Sequence, residues 1–280
     1  MPSVGVGDVE LYYDAFGDGD EVVLLTPGLG AHATRYSDEL CEAIAAAGYR
    51  VIRHDNRDVG LSTHLEDGAT YTLADMANDI VGLLDALSLE RVHAVGSSMG
   101  GMIVQQLAID APHRLWSLCS IMSTTGEPGV GLPHPEVLEQ LVALASPVEG
   151  RDEAIERAVA LARVLASPAF FDEDEQRARQ AAFYDRAYHP AGVARQLMAV
   201  LSSGDRAEGL RRLNVPALVI HGADDVLVGV DGGRRTAELI PGARYVELPQ
   251  MGHDLPRQLW PTYVELLCDH FRAACPRSGG

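Results

Sequence analysis

Val92-His93-Ala94-Val95-Gly96-Ser97-Ser98-Met99-Gly100-Gly101 is the stretch from which the fold can be read. Its first half is short, apolar and β-prone, and Met99 to Asp110 has helical periodicity, so the segment passes from strand to helix through a turn at Ser98. A turn this sharp forces neighbouring backbone into contact. Gly96 and Gly100 supply positions without a Cβ, leaving Ser98 at the start of the helix, where the helix dipole and free N–H groups favour developing negative charge. The spacing is G-x-S-x-G in the context that a nucleophile elbow requires.

Outward from this turn, strand-like and helix-like segments alternate. Glu10–Phe16 and Val22–Thr26 read as strands, Tyr36–Ala47 as a helix, Tyr49–His54 as a strand and Leu73–Leu87 as a helix. After the elbow, Leu115–Ser120, Ala217–Ile220 and Arg244–Leu248 read as strands, and Trp260–Cys275 as a closing helix. Alternation of this kind calls for crossover connections, and so for an α/β fold with a mostly parallel central sheet flanked by helices. Near-continuous apolar runs such as Val92–Val95 fit strands covered on both faces. Between Thr124 and Gly204 the alternation stops, and four helical patterns follow: Pro135–Ala145, Arg151–Leu165, Glu173–Tyr188 and Ala191–Leu201. The expected organisation is therefore a core of residues 1–123 and 205–275, a helical cap at 124–204, and a flexible tail at 276–280.

A serine hydroxyl is a weak nucleophile near neutral pH and needs a base, which in turn needs an acid to hold its tautomer. The late sequence offers both. Val219-Ile220-His221-Gly222-Ala223-Asp224-Asp225 leaves a strand into a turn rich in carboxylates, and Leu248-Pro249-Gln250-Met251-Gly252-His253 leaves the next strand into a loop ending in histidine. The expected trio is Ser98, an aspartate of the 224–225 pair, and His253.

Leu24–Gly30, Asp55–Ser62, Gly96–Gly101, Gly222–Asp225 and Gly252-His253 together resemble the α/β-hydrolase superfamily over essentially the whole chain. The resemblance implies that the acid closes the Gly222–Asp225 turn, which selects Asp225 over Asp224. It also implies an oxyanion hole from the backbone N–H groups of Leu29 and Met99, although Pro27 stands where the family often has histidine. Asp55-Asn56-Arg57-Asp58-Val59-Gly60-Leu61-Ser62 is similar to the family's D-x-R-G-x-G-x-S stretch, with Asp58 for the first glycine, and suggests a bracing network around Arg57. Tyr71–Met76 and Met251–Pro256 resemble actinobacterial esterases similar to aclacinomycin methylesterase. The implied activity is hydrolysis of carboxylic esters without metal or organic cofactor. The same trio serves perhydrolases and carbon–carbon bond hydrolases, and a non-catalytic ligand receptor is a further reading. Haloalkane dehalogenases and epoxide hydrolases use aspartate at the elbow, so Ser98 argues against both.

Composition narrows the partners. A formal net charge of −18 over 280 residues opposes binding to nucleic acid, which needs a basic face. All 22 basic residues are arginine, which excludes a Walker A lysine, a pyridoxal-phosphate Schiff base and a lysine nucleophile. Cys41, Cys119, Cys268 and Cys275 form no CxxC pair, and Cys119 sits in an apolar run as a packing residue. No apolar run is long enough to cross a membrane, and the N-terminus lacks the pattern of a signal peptide, so a cytoplasmic enzyme acting on a small-molecule ester is expected. Small to medium neutral, apolar esters are the expected substrates. Phe170, Phe171, Phe183, Tyr184, Tyr188 and Met198 are candidates to line the pocket but read better as helix packing; Arg163, Arg186 and Arg195 are expected to face solvent.

Overall fold

The computed structural model describes residues 2–144 and 146–275, so the expected tail at 276–280 and Ala145, the last residue of the expected helix Pro135–Ala145, lie outside the described residues. In chain order the first half comprises β1 (Ser3–Val6), β2 (Val9–Phe16), β3 (Val22–Thr26), α1 (Asp38–Ala45), β4 (Arg50–His54), α2 (Leu73–Ala86), β5 (Val92–Ser97), α3 (Met99–Asp110) and β6 (Leu115–Ile121). The second half comprises α4 (Pro135–Leu144), α5 (Arg151–Leu165), α6 (Glu173–Arg186), α7 (Pro190–Ser202), α8 (Ala207–Arg211), β7 (Ala217–Gly222), α9 (Val230–Leu239), β8 (Arg244–Leu248) and α10 (Trp260–Ala274).

The eight strands form one sheet in the order β1-β2-β4-β3-β5-β6-β7-β8. β1 and β2 join antiparallel and every pair from β4 to β8 is parallel. Period-two alternation sends Leu24 to one face of β3 and Val23 and Leu25 to the other, which gives two apolar cores. One lies beneath α2 and α3 and the other beneath α1 and α10, so the sheet is the middle layer. The order reverses at β3, whose neighbours β4 and β5 both follow it in the chain; open α/β sheets place their sites at the carboxyl ends of strands about such a switch point.

Helix starts follow local chemistry. Thr72 caps α2, its side chain accepting from Asp75 N–H while Asp75 reaches back to Thr72 N–H, a complete capping box. β1, α8 and α9 are additional to the elements the sequence suggests. α9 carries Gly232 and Gly233, poor helix formers that mask its pattern. Gly233 is there for packing, since a Cβ would lie 2.4 Å from His221 Nδ1. From α4 to α8 no strand occurs among the described residues. None of the helices described is long and apolar enough to cross a membrane.

Candidate active site

Ser98 ends the β5 turn at φ 57° and ψ −122°, a backbone state that costs on the order of 1–3 kcal/mol outside glycine. Packing on both sides enforces it. A Cβ on Gly96 would lie 2.1 Å from Gly100 O, and one on Gly100 would lie 2.1 Å from Thr26 O. These contacts tie the elbow to the end of β3. Ser98 N–H donates to Ile121 O at 2.9 Å, tying it also to β6. Ser98 is half-buried, whereas Ser97 is buried with its Oγ engaged at 3.0 Å by the Tyr36 hydroxyl.

His253 Nδ1 lies 2.7 Å from Asp225 Oδ2, so its N–H donates to the carboxylate and Nε2 is left as the basic nitrogen. Asp225 is itself anchored: Leu227 and Val228 N–H each donate to its Oδ1 at 2.9 Å, and His221 Nε2 stands 3.5 Å from Oδ2 while bonding Val228 O at 2.9 Å. Burial alone would raise the Asp225 pKa. The charge of His253 and hydrogen bonds from His221, His253 and Val228 outweigh that and hold the carboxyl well below the usual carboxylate range. Asp224 is exposed in the same turn. Gly222 fits because a Cβ would sit 2.2 Å from Met251 O, which brings the acid turn against the histidine loop.

Leu29 and Met99 bracket Ser98. A Cβ on Gly28 would lie 3.1 Å from Ser98 Cβ, so the β3 loop passes directly beside the serine. Met99 is the first residue of α3, where an N–H has no intrahelical acceptor. The support of the loop, which Pro27 left open, comes from distant residues. Asn56 Nδ2 donates to Pro27 O at 3.0 Å, the Tyr36 hydroxyl lies 3.0 Å from Thr26 O, and Gly30 N–H donates to Gln196 Oε1 at 2.8 Å. Gln196 closes the bridge by donating to Arg57 O at 2.8 Å.

Ser98, His253, Gly28, Leu29 and Met99 all line one cavity of about 680 Å³ whose far walls come from α4 to α7. That volume suits a drug-sized or smaller organic molecule. Leu161, Leu165, Val193 and Leu197 make it largely apolar. Of the six suggested side chains, Phe183, Tyr184 and Tyr188 line it, while Phe170, Phe171 and Met198 do not. Leu132, Leu138 and Leu201 belong to the cavity and are also exposed, which marks its mouth.

The expectation for the arginines needs correcting. Arg163 does face solvent with Glu173, but Arg186 and Arg195 turn inward. They reach the loop after β4 and do not line the cavity. Arg195 grips Asp58 with two bonds at 2.9 and 2.8 Å, and Arg186 stands 2.7 Å from Asp55 Oδ2 as an ion pair without hydrogen-bond alignment. Each thereby answers a fully buried carboxylate side chain that solvation cannot. Arg57 braces the same loop through two 2.6 Å bonds to Asp79.

Sequence reading missed Ser167. It is fully buried between α5 and α6, donates its N–H to Asp254 Oδ1 at 3.0 Å and accepts Gly252 N–H on Oγ at 2.9 Å. His253 N–H also donates to Leu165 O at 2.7 Å. The inserted helices thus hold both neighbours of His253, and a Cβ on Gly252 would meet Leu165 O at 2.6 Å. No local signal marks a serine for this role. Among the described residues no group of three or more His, Cys, Asp or Glu could hold a metal ion.

A strained serine at a strand-to-helix turn, a histidine tied to a buried aspartate, and an eight-stranded sheet beneath them define a class of protein. The chain belongs to the α/β hydrolase fold family, whose model matches residues 21–256. It is 34% identical to a rhodomycin D methylesterase of Streptomyces sp. (strain C5), over 95% of this chain and 96% of that one. A 2-hydroxy-6-oxononadienedioate/2-hydroxy-6-oxononatrienedioate hydrolase of Paraburkholderia xenovorans is 31% identical over 89% of this chain and 86% of its own. Among solved structures, an enol-lactonase from Burkholderia xenovorans superposes with a TM-score of 0.79 at 25% identity, covering 96% of this chain and 99% of that one.

Proposed function

We propose that this protein is a serine hydrolase that cleaves carboxylic esters through an acyl-enzyme, with Ser98 as nucleophile, His253 as base and Asp225 as its partner. His253 Nε2 takes the Ser98 proton, Ser98 Oγ attacks the ester carbonyl, and Leu29 and Met99 N–H stabilise the tetrahedral oxyanion. His253 then protonates the departing alcohol. Water enters, gives its proton to His253 and releases the acid. The observation that carries this reading is the 2.7 Å pair of His253 Nδ1 with Asp225, set in the cavity that Ser98 also lines. The methylesterase relative supports the ester. Residues 124–204 act as a cap over a core of 1–123 and 205–275, supplying the apolar walls that receive a small to medium ester.

A panel of p-nitrophenyl esters of graded acyl length tests this: pre-steady-state release of one p-nitrophenol per site is expected, with covalent acylation of Ser98 seen by mass spectrometry. Absence of both would sink the reading. A second activity, carbon–carbon bond hydrolysis, is favoured by the relative named for that class, and it uses the same trio. Turnover of a vinylogous 1,5-diketone acid faster than of any ester would make it the principal one.

A further inference from the structure

The cavity contains one charge that its surroundings leave unanswered. Arg35 ends the 3-10 turn Ala33–Arg35, which follows the Gly28–Leu29 loop, and it lines the cavity together with Ser98 and His253. Other inward-facing arginines are matched: Arg57 by Asp79, Arg195 by Asp58, and Arg206 by Gln105 and Thr124 O. The Arg35 guanidinium has no hydrogen bond or ion pair among the described residues. Burial and the nearby charge of Arg179 lower its pKa; Asp254 opposes this from beyond ion-pair distance, with its Oδ1 already bound to Ser167.

Facing it is α6. The His32 ring lies 5.1 Å from the Phe183 ring, which holds the turn bearing Arg35 against that helix. Gln176 and Gln180, one helical turn apart on α6, line the same cavity, and neither side-chain amide has a hydrogen-bond partner among the described residues. A half-buried guanidinium that lines a largely apolar cavity is costly to leave unpaired, and its planar fork matches a carboxylate with two parallel bonds. The amide N–H groups of the two glutamines suit the lone pairs that such a carboxylate has left over.

We propose that Arg35, Gln176 and Gln180 form an acid-binding subsite, and that the preferred ester carries a carboxylate at the end of an apolar body, away from the scissile carbonyl. This rests on the ester-hydrolase reading. Neutral esters still fit the apolar walls; the carboxylate adds a second anchor that fixes which bond is presented to Ser98. It also changes the ranking expected from net charge. Repulsion from the acidic surface is screened over about 8 Å at physiological salt, whereas a guanidinium in contact is not.

The test compares p-nitrophenyl hexanoate with the p-nitrophenyl monoester of adipic acid, matched in acyl length and differing in a terminal carboxylate. At high salt, kcat/KM should favour the monoester by roughly 10-fold, mainly through KM, and Arg35→Gln should erase that preference while Arg35→Lys keeps part of it. Calorimetric titration of Ser98→Ala with monomethyl adipate should show binding that weakens by about the same factor in Ser98→Ala/Arg35→Gln. Because Arg35 has no internal partner, Arg35→Gln should not lower Tm. A wild-type preference for the hexanoate, equal losses on both esters in Arg35→Gln, or a lower Tm with unchanged binding would overturn the subsite. Binding that depends on Arg35 without hydrolysis of either ester would instead overturn the ester reading and leave the subsite standing.

Discussion

Every residue of β5 from Val92 to Ser97 is buried, whereas in α6 only Gln176 is, and the two elements face each other across the cavity. The candidate catalytic groups stand on the first kind of structure and the pocket walls on the second. Around Ser98, position is set by backbone against backbone: Gly96 on Gly100, Gly100 on Thr26, Gly222 on Met251. The inserted helices are held largely by side chains, Arg186 at Asp55, Arg195 at Asp58 and Gln196 at Gly30. Backbone contacts leave no room for variation, while side-chain contacts can be exchanged. Changes in the first region should therefore act on kcat, and changes in the second on KM and selectivity.

The largest effect should come from Ser98→Ala, which is expected to lower kcat by about 10⁶-fold while hardly changing stability. Ser97→Ala is the control, since that side chain is engaged with Tyr36. Retention of more than a tenth of wild-type turnover in Ser98→Ala would remove it as nucleophile. Asp225→Asn should follow with a loss of about 10⁴-fold in kcat, because an amide cannot stabilise the imidazolium. Asp224→Asn, in the same turn but exposed, should be mild. If the two exchange phenotypes, the acid has been assigned to the wrong residue.

On the other side of the comparison, Asp58→Asn should cost on the order of 3 kcal/mol in urea unfolding by leaving Arg195 without its charge partner. Its catalytic effect should lie in KM for long acyl chains. Burial alone would raise the Asp58 pKa, but hydrogen bonds from Arg195 and Leu65 N–H lower it in the folded protein. The folded pKa is below the unfolded one, so this contribution is complete above about pH 4 and fades as the pH falls through the folded value. The stability gap between wild type and Asp58→Asn should shrink on acidification. A gap independent of pH would show that the ion pair is not its source.

The smallest effect should be the most instructive, because Ser167 joins the two regions. Ser167→Ala removes the acceptor for Gly252 N–H and a donor to Asp254 without touching His253. We expect kcat to fall roughly 3- to 10-fold with KM little changed, in keeping with the loss of a single buried hydrogen bond. An effect confined to KM would mean that the helices shape the pocket and leave the base alone.

Sequence and structure agree most closely where the determinants are local. Met99–Asp110 and Arg244–Leu248 run over the residues that the sequence pattern suggests, because apolar runs and the turns that flank them act within a few residues. α9 escaped because its glycines serve partners outside the helix, Gly233 packing on His221 and Gly232 on Thr124. Arg186 and Arg195 read as solvent-facing because nothing next to them in the chain reveals Asp55 and Asp58, more than a hundred residues earlier.

The amino-acid sequence by itself determined the alternation of strands and helices, the Ser98 elbow and the order in which serine, aspartate and histidine leave their strands. Each depends on which residues are adjacent or one helical turn apart. Only the tertiary structure decided that Gln196 and Asn56 support the loop at Pro27, that Ser167 holds the turn around His253, and that Arg35 reaches the cavity unpaired. Those relations join segments brought together by sheet order and helix packing, and a side chain's partner across such a gap is set by where the chain folds back, which neighbouring residues do not encode.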